Sequence, residues 1–159
     1  MDEVNEKFAD FLETVDNRYR SFVIEINNYL TQGNCKCEVK SAKSGFTVSY
    51  ILNRRTLATF VFRKPGIKLR IYPEHIHQYA DFLNTLPDKM KKEIQKASVC
   101  KRLVDPDDCN PRCVMGYDFF IDDEHYQKCR YMAFMPTLSD ENNPYIKVFL
   151  EKELKAINS

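Results

Sequence analysis

The chain has 159 residues, 43% of them hydrophobic and 13% aromatic, with eleven Phe and nine Tyr, enough to bury a core within one compact domain. Charged residues make up 30% and the formal net charge is +1, which excludes a disordered charged tail and a nucleic-acid binder driven by bulk charge. Four Gly and seven Pro exclude a collagen-like or low-complexity chain, and six Cys remain as the odd feature.

The N-terminal stretch is acidic and amphipathic, with no basic n-region and no apolar h-region, so no secretory signal is expected. No apolar run approaches the roughly 18 residues needed to span a bilayer. A cytoplasmic protein is the expectation, and in that reducing compartment the cysteines are not expected to form disulfides.

Apolar residues at Val4, Phe8, Phe11, Leu12, Val15, Tyr19, Phe22, Val23, Ile26, Tyr29 and Leu30 follow helical spacing. They predict one long amphipathic helix over 3–31, within an N-terminal segment 1–32, and Gly33-Asn34 is its stop signal. Residues 35–39 and 46–50 alternate as strands around a Ser44-Gly45 turn. Asn53-Arg54-Arg55 punctuates the chain before Thr56–Arg63, rich in β-branched and aromatic side chains. Lys64-Pro65-Gly66 is a turn, since Pro presets φ and Gly accepts a positive φ. Ile67–Tyr72 alternates cleanly, with Ile67, Leu69 and Ile71 facing the core and Lys68 and Arg70 facing away, and Pro73 ends the run.

His75–Leu86 and Asp88–Ala97 read as two helical pieces, with Pro87 opening the second. Residues 99–115 lack periodicity. Tyr117–Ile121 and Tyr126–Phe134 are expected to pair across Asp122-Asp123-Glu124. Ser139–Ile157 is the closing helix, with Pro144 in its first turns and Tyr145, Val148, Phe149 and Leu154 along its apolar stripe. Strands run consecutively instead of alternating with helices, so the expected class is α+β over residues 1–159. The expected architecture is an antiparallel sheet of five to six strands packed by a long N-terminal helix, central helices and a C-terminal helix.

Four of the cysteines, Cys100, Cys109, Cys113 and Cys129, are spaced Cys-x8-Cys-x3-Cys-x15-Cys within a segment 99–130. The middle stretch, Asp105 to Cys113, is rich in turn formers and suited to folding round an ion. A long loop without secondary structure is unusual in a compact domain unless something organises it. Four thiolates fit a structural zinc site, with no open position for a catalytic water. An iron–sulfur cluster is the alternative cofactor, and buried free thiols or redox pairs are the alternatives to any metal. Lys101, Arg102, Arg112, Lys128 and Arg130 flank the ligands and would offset their negative charge. His125 is a substitute ligand, more commonly a surface or capping residue. Cys35 and Cys37 share a strand face and read first as small packing residues, then as a redox pair.

No phosphate-binding glycine loop, zinc-protease motif or nucleophile elbow is present. His75 and His77 open a helical piece without a paired carboxylate motif, so capping or solvent-facing roles are expected before acid–base roles. Basic residues from Lys36 to Arg70 interleave with Phe46, Tyr50, Phe60, Phe62 and Tyr72. Such strands are the ingredients of a single-strand nucleic-acid platform. Because most of the aromatics fall on the apolar side of the alternation, a solvated sheet face over an aromatic core is the expectation.

The stretch Thr59–Tyr72, together with Cys100-Lys101-Arg102-Leu103 and Met115-Gly116-Tyr117-Asp118-Phe119, resembles small bacterial proteins of the YdhG-like and YjbR-like α+β domains over roughly residues 35–155. The resemblance implies a compact curved antiparallel sheet with helices packed on it, and ligand or nucleic-acid binding as the role. The four-cysteine cluster is an addition to that pattern.

The leading functional expectation is a binding or regulatory module, because a folded core is present without a catalytic motif. Its pocket would lie between sheet and helix, with Tyr50 and Tyr72 as walls and Arg63 or Arg70 anchoring a small anionic ligand. A protein partner is the other candidate. A thiol-redox or iron–sulfur protein, and a nucleic-acid binder through the basic sheet, are the competing readings, and no membrane partner is expected.

Overall fold

The structure, a computed structural model, describes residues 3–43, 45–63, 66–105, 107 and 115–159. The N-terminal periodicity belongs to two helices, α1 (Glu3–Thr14) and α2 (Asn17–Gln32), where the sequence predicted one. The break has a local cause. The Asp16 carboxylate accepts the Arg18 backbone N–H at 3.0 Å and so caps α2. On the other side, Arg20 donates to the carbonyls of Val15 (2.8 Å) and Glu13 (3.0 Å), which closes the end of α1. Phe11 and Val15 before the break and Val23, Ile26 and Leu30 after it are all buried, so the apolar stripe conceals the cap.

Four strands follow as an antiparallel meander, β1 (Lys36–Ala42), β2 (Gly45–Leu52), β3 (Arg55–Arg63) and β4 (Gly66–Ile71), in the order β1-β2-β3-β4. The turn between β2 and β3 holds Asn53 at φ 53° and Arg54 at φ 68°, the left-handed pair that matches the twist of a tight hairpin. Across the sheet Val48 faces Phe60, and Phe60 faces Leu69. This row carries the aromatic core: the Phe11 ring lies 5.9 Å from Phe60, 5.9 Å from Phe62 and 6.4 Å from Phe46. Phe60 and Tyr50 are fully buried, so the sheet's aromatics are turned inward as the alternation predicts. On the opposite face the Ser49 and Thr59 hydroxyls meet at 3.0 Å, and Lys68 pairs with Glu93 at 2.8 Å.

After β4 the chain makes two short 3₁₀ turns (Ile76–Gln78 and Ala80–Thr85), where the sequence predicted one regular helical piece. Pro87 is the N-cap of α3 (Asp88–Lys96) instead of its first residue. A one-turn helix α4 (Lys101–Val104) precedes a separate hairpin of β5 (Tyr117–Ile121) and β6 (Glu124–Lys128). Asp122 and Asp123, both at positive φ, form its turn. The expected strand over Tyr126–Phe134 therefore stops at Lys128. Residues further on run beside the open edge of β4 instead: the Ile71 N–H donates to the Phe134 carbonyl at 2.8 Å, and the Leu138 N–H to Ile67 at 3.0 Å. The fold is α+β, with a four-stranded sheet and a two-stranded one among the described residues, in place of one sheet of five to six strands.

The closing helix α5 (Asn143–Ile157) buries Ile146, Phe149, Leu150, Glu153 and Leu154, while Val148 from the predicted stripe is exposed. Phe149 packs on Phe82 and Phe134 at 5.5 Å each. Lys147 reaches Glu25 of α2 at 2.7 Å, so α5 lies alongside α2. No helix among the described residues is long and apolar enough to cross a membrane.

Gly116, just before β5, is where the hairpin meets the chain on either side of it. A Cβ there would sit 2.1 Å from the Lys128 carbonyl oxygen and 2.9 Å from Cys100 Cβ. Gly116→Ala must push backbone apart and is expected to cost about 2–3 kcal/mol. A urea unfolding curve measures it, and an unchanged midpoint would contradict this close approach.

Candidate functional site

Pro73 cannot extend the ladder, so the chain turns away from the sheet at the end of β4. Tyr72 is held there by its N–H bond to the Leu57 carbonyl at 2.9 Å, and His75 stands at the N-cap position of the first 3₁₀ turn without a side-chain capping bond. Beside this corner α5 presents Glu153, whose exposure is 0%. A carboxylate removed from water is costly unless its oxygens are satisfied. Here Oε1 accepts the Tyr79 hydroxyl at 2.6 Å and the His75 backbone N–H at 3.2 Å, and Oε2 lies 2.7 Å from His75 Nδ1. Burial, reinforced by the bond to Glu153, pushes the Tyr79 hydroxyl far above the ordinary tyrosine range, so it remains a donor. The carboxylate assigns the proton of the neutral imidazole to Nδ1. Nε2 is then the nitrogen left to solvent, on a ring that is 37% exposed.

His75 and Glu153 line a hollow of about 360 Å³, with Asn53, Arg55, Thr56, Tyr72 and Glu74 around it. A second hollow of about 350 Å³ shares Arg55, Thr56, Tyr72 and Glu74 and adds Arg130 and Tyr131, so the two form one cleft. Its walls come from the β2–β3 turn, the ends of β3 and β4, the chain after β6 and the last turns of α5.

Arg130 is the inner cation of the cleft. Its guanidinium lies 5.4 Å from the ring centres of both Tyr72 and Tyr117 and is ion-paired with Glu74. Arg55 approaches the other Glu74 oxygen only to 3.9 Å and is largely exposed. The Tyr117 hydroxyl is buried without a hydrogen-bond partner among the described residues. Burial raises its pKa far above the ordinary value, and the charge of Glu153 adds to the effect. The Arg70 Nε donates to the Tyr131 carbonyl at 2.8 Å and braces the outer rim.

The four residues predicted to line a pocket are thus divided. Tyr72 is a wall of the cleft, and Arg70 supports its rim. Tyr50 is a core residue whose hydroxyl donates to Asn27 Oδ1 at 2.8 Å. Arg63 lies at the exposed end of β3 and donates to the Phe62 carbonyl at 2.9 Å. Of the four spaced cysteines, Cys109 and Cys113 lie outside the described residues. Cys100 and Cys129 are free thiols on neighbouring antiparallel segments: the Cys100 N–H donates to the Gln127 carbonyl at 2.9 Å, and the Cys129 N–H to Ser98 at 2.7 Å. Among the described residues no three His, Cys, Asp or Glu side chains are grouped to hold a metal ion. His125 pairs with Asp118 at 2.7 Å. Lys128 and Arg130, expected to balance thiolate charge, have other tasks. Lys128 Nζ donates to the Gln95 and Ala97 carbonyls at 2.8 and 2.9 Å, and Arg130 serves the cleft.

Sequence reasoning missed Glu153, Tyr79, Glu74, Arg55 and Arg130 as a group. One signal was present. Glu153 stands among Ile146, Phe149, Leu150 and Leu154 in the apolar stripe of α5, where a carboxylate demands a partner. No family model, curated protein or solved structure matches the chain.

Glu153→Ala would leave the Tyr79 hydroxyl and the His75 N–H without their acceptor. It is expected to cost about 3 kcal/mol, and Tyr79→Phe about 1.5 kcal/mol. Denaturant unfolding at neutral pH reads both, and an Ala variant as stable as the parent would show that the buried carboxylate holds nothing in place.

Proposed function

We propose that this chain is a binding or regulatory module whose cleft takes a small anionic ligand. The observation that carries this reading is the charge arrangement of the cleft. Both carboxylates are matched from within, Glu74 by Arg130 and Glu153 by His75 and Tyr79, whereas among the described residues the Arg55 guanidinium at the mouth has only a 3.9 Å contact. Arg55 is therefore the least committed charge, with Tyr72 and Thr56 beside it for hydrogen bonds. The anchor moves from Arg63 or Arg70 to Arg55, while the ligand class stays as the sequence suggested. A screen of anionic metabolites by thermal shift tests it. Arg55→Gln is expected to weaken any hit about tenfold without lowering the melting temperature of the free protein, because exposed ion pairs add little to stability. A panel without a single shift removes the reading.

The structural zinc belongs to the same proposal. Its support is the pairing of Cys100 and Cys129 on adjacent segments, together with the Gly116 N–H that donates to Cys100 Sγ at 3.3 Å, the kind of bond that steadies a coordinated thiolate. Cys109 and Cys113 would complete the tetrahedron. Elemental analysis after anaerobic purification is expected to give about one zinc per chain. Thiol titration should show the four cysteines protected until a chelator is added, and metal-free protein would sink the site. For Cys35 and Cys37, burial pushes both thiols up to about 11, opposite to the direction of a reactive thiol, which weighs against a redox pair at the start of β1. Both are expected to resist alkylation at neutral pH until the chain is unfolded, and rapid native labelling would restore the redox reading.

A further inference from the structure

We infer that His75 is the proton-linked ligand contact of the cleft: an oxyanion that enters it is bound by His75 Nε2 as well as Arg55, and binding draws one proton onto the imidazole. The inference rests on the anionic-ligand reading above and adds to it the group that recognises the ligand and the pH range in which it does so.

The geometry leaves little choice of mechanism. Glu153 holds Nδ1 at 2.7 Å from inside the protein, so the neutral ring carries its proton there and offers only a lone pair at Nε2. A lone pair repels an oxyanion. An N–H at Nε2 exists only in the imidazolium, and then both ring nitrogens donate, one to Glu153 and one to the ligand. Among the described residues no other group that lines the cleft can do this. From β3 the hollow is lined by Arg55 and Thr56, from the chain just after β4 by Tyr72, from the ring's own segment by Glu74, and from α5 by Glu153, which Tyr79 also bonds. Arginine stays charged at all relevant pH, Tyr79 is held as a donor, and Glu74 is committed to Arg130. The ligand class is a compact oxyanion of the phosphate or carboxylate type, and a neutral isostere would gain nothing from the proton.

Sulfate is the probe, because its charge does not change across the range used. Binding is measured by isothermal titration calorimetry at about pH 5.5 and about pH 8.5, a span that covers histidine ionisation. Affinity is expected to be about tenfold or more higher at the lower pH, since the contact is present when the ring is protonated and lost as pH rises. Runs in buffers of different ionisation enthalpy should show proton uptake on binding. His75→Gln is expected to bind with the weaker affinity at both pH values. With only three histidines in the chain, nitrogen-15 spectra of the parent protein give a second reading that needs no variant. Added sulfate should raise the share of the His75 ring that shows the doubly protonated pattern at a fixed pH. Equal sulfate affinity at both pH values, or a pH dependence that survives in His75→Gln, would overturn the proton link and leave the anion site standing. Absence of sulfate binding at either pH would overturn both.

Discussion

A carboxylate with no access to water must be answered by donors, and in this protein that requirement joins the two ends of the fold. Glu153 comes from the last turns of α5, and its donors come from the corner that follows β4. Without them the helix would carry a charge into an apolar seam between Phe149, Leu150 and Leu154. With them, the helix is locked to the one place where the sheet ends and the backbone turns free. The cleft is the space left over this junction, with a floor of fixed charge and a rim that retains uncommitted polar groups.

The same logic extends outward in layers. Glu74 follows Pro73 and faces out of the corner, where Arg130 meets it between two tyrosine rings. Two aromatic rings close to that guanidinium make it less dependent on water. Arg55 sits beyond Glu74, on the strand side of the β2–β3 turn. Polar groups therefore run from the interior to the mouth as Glu153 with His75 and Tyr79, then Glu74 with Arg130, then Arg55. The innermost charge is the most fully bonded and the outermost the least.

Much of the fold was legible in the sequence. The meander was readable because its turns use residues that accept a left-handed backbone and its strands alternate, so Ile67, Leu69 and Ile71 are buried as the pattern required. The break at Asp16 was hidden because capping leaves the apolar stripe in phase on both sides, although Thr14, Asp16 and Asn17 together are the residue types that start and stop helices. The segment Phe134–Leu138 was not readable as a partner of β4, since its bonds are to an edge supplied 63 to 71 residues earlier and leave no local period. The site was less legible for the same reason. His75 lacked a neighbouring carboxylate in sequence, and the carboxylate lies 78 residues on. Arg130 was read beside Cys129 as a charge for thiolates, because adjacency along the chain is visible and alternation of direction at a turn is not.

That adjacency still matters, because the segment carrying Cys129 also places Arg130. The Cys129 N–H is tied to Ser98, its carbonyl accepts the Met132 and Ala133 N–H groups at 3.0 and 2.8 Å, and Gly116 lets the Lys128 carbonyl close in from the other side. These constraints fix the backbone from which Arg130 extends between Tyr72 and Tyr117. Arg130 is thereby held as the inner partner of Glu74, and Arg55 keeps only its longer approach to the same carboxylate, so the backbone order of the limb after β6 decides which of the two cations Glu74 meets at close range.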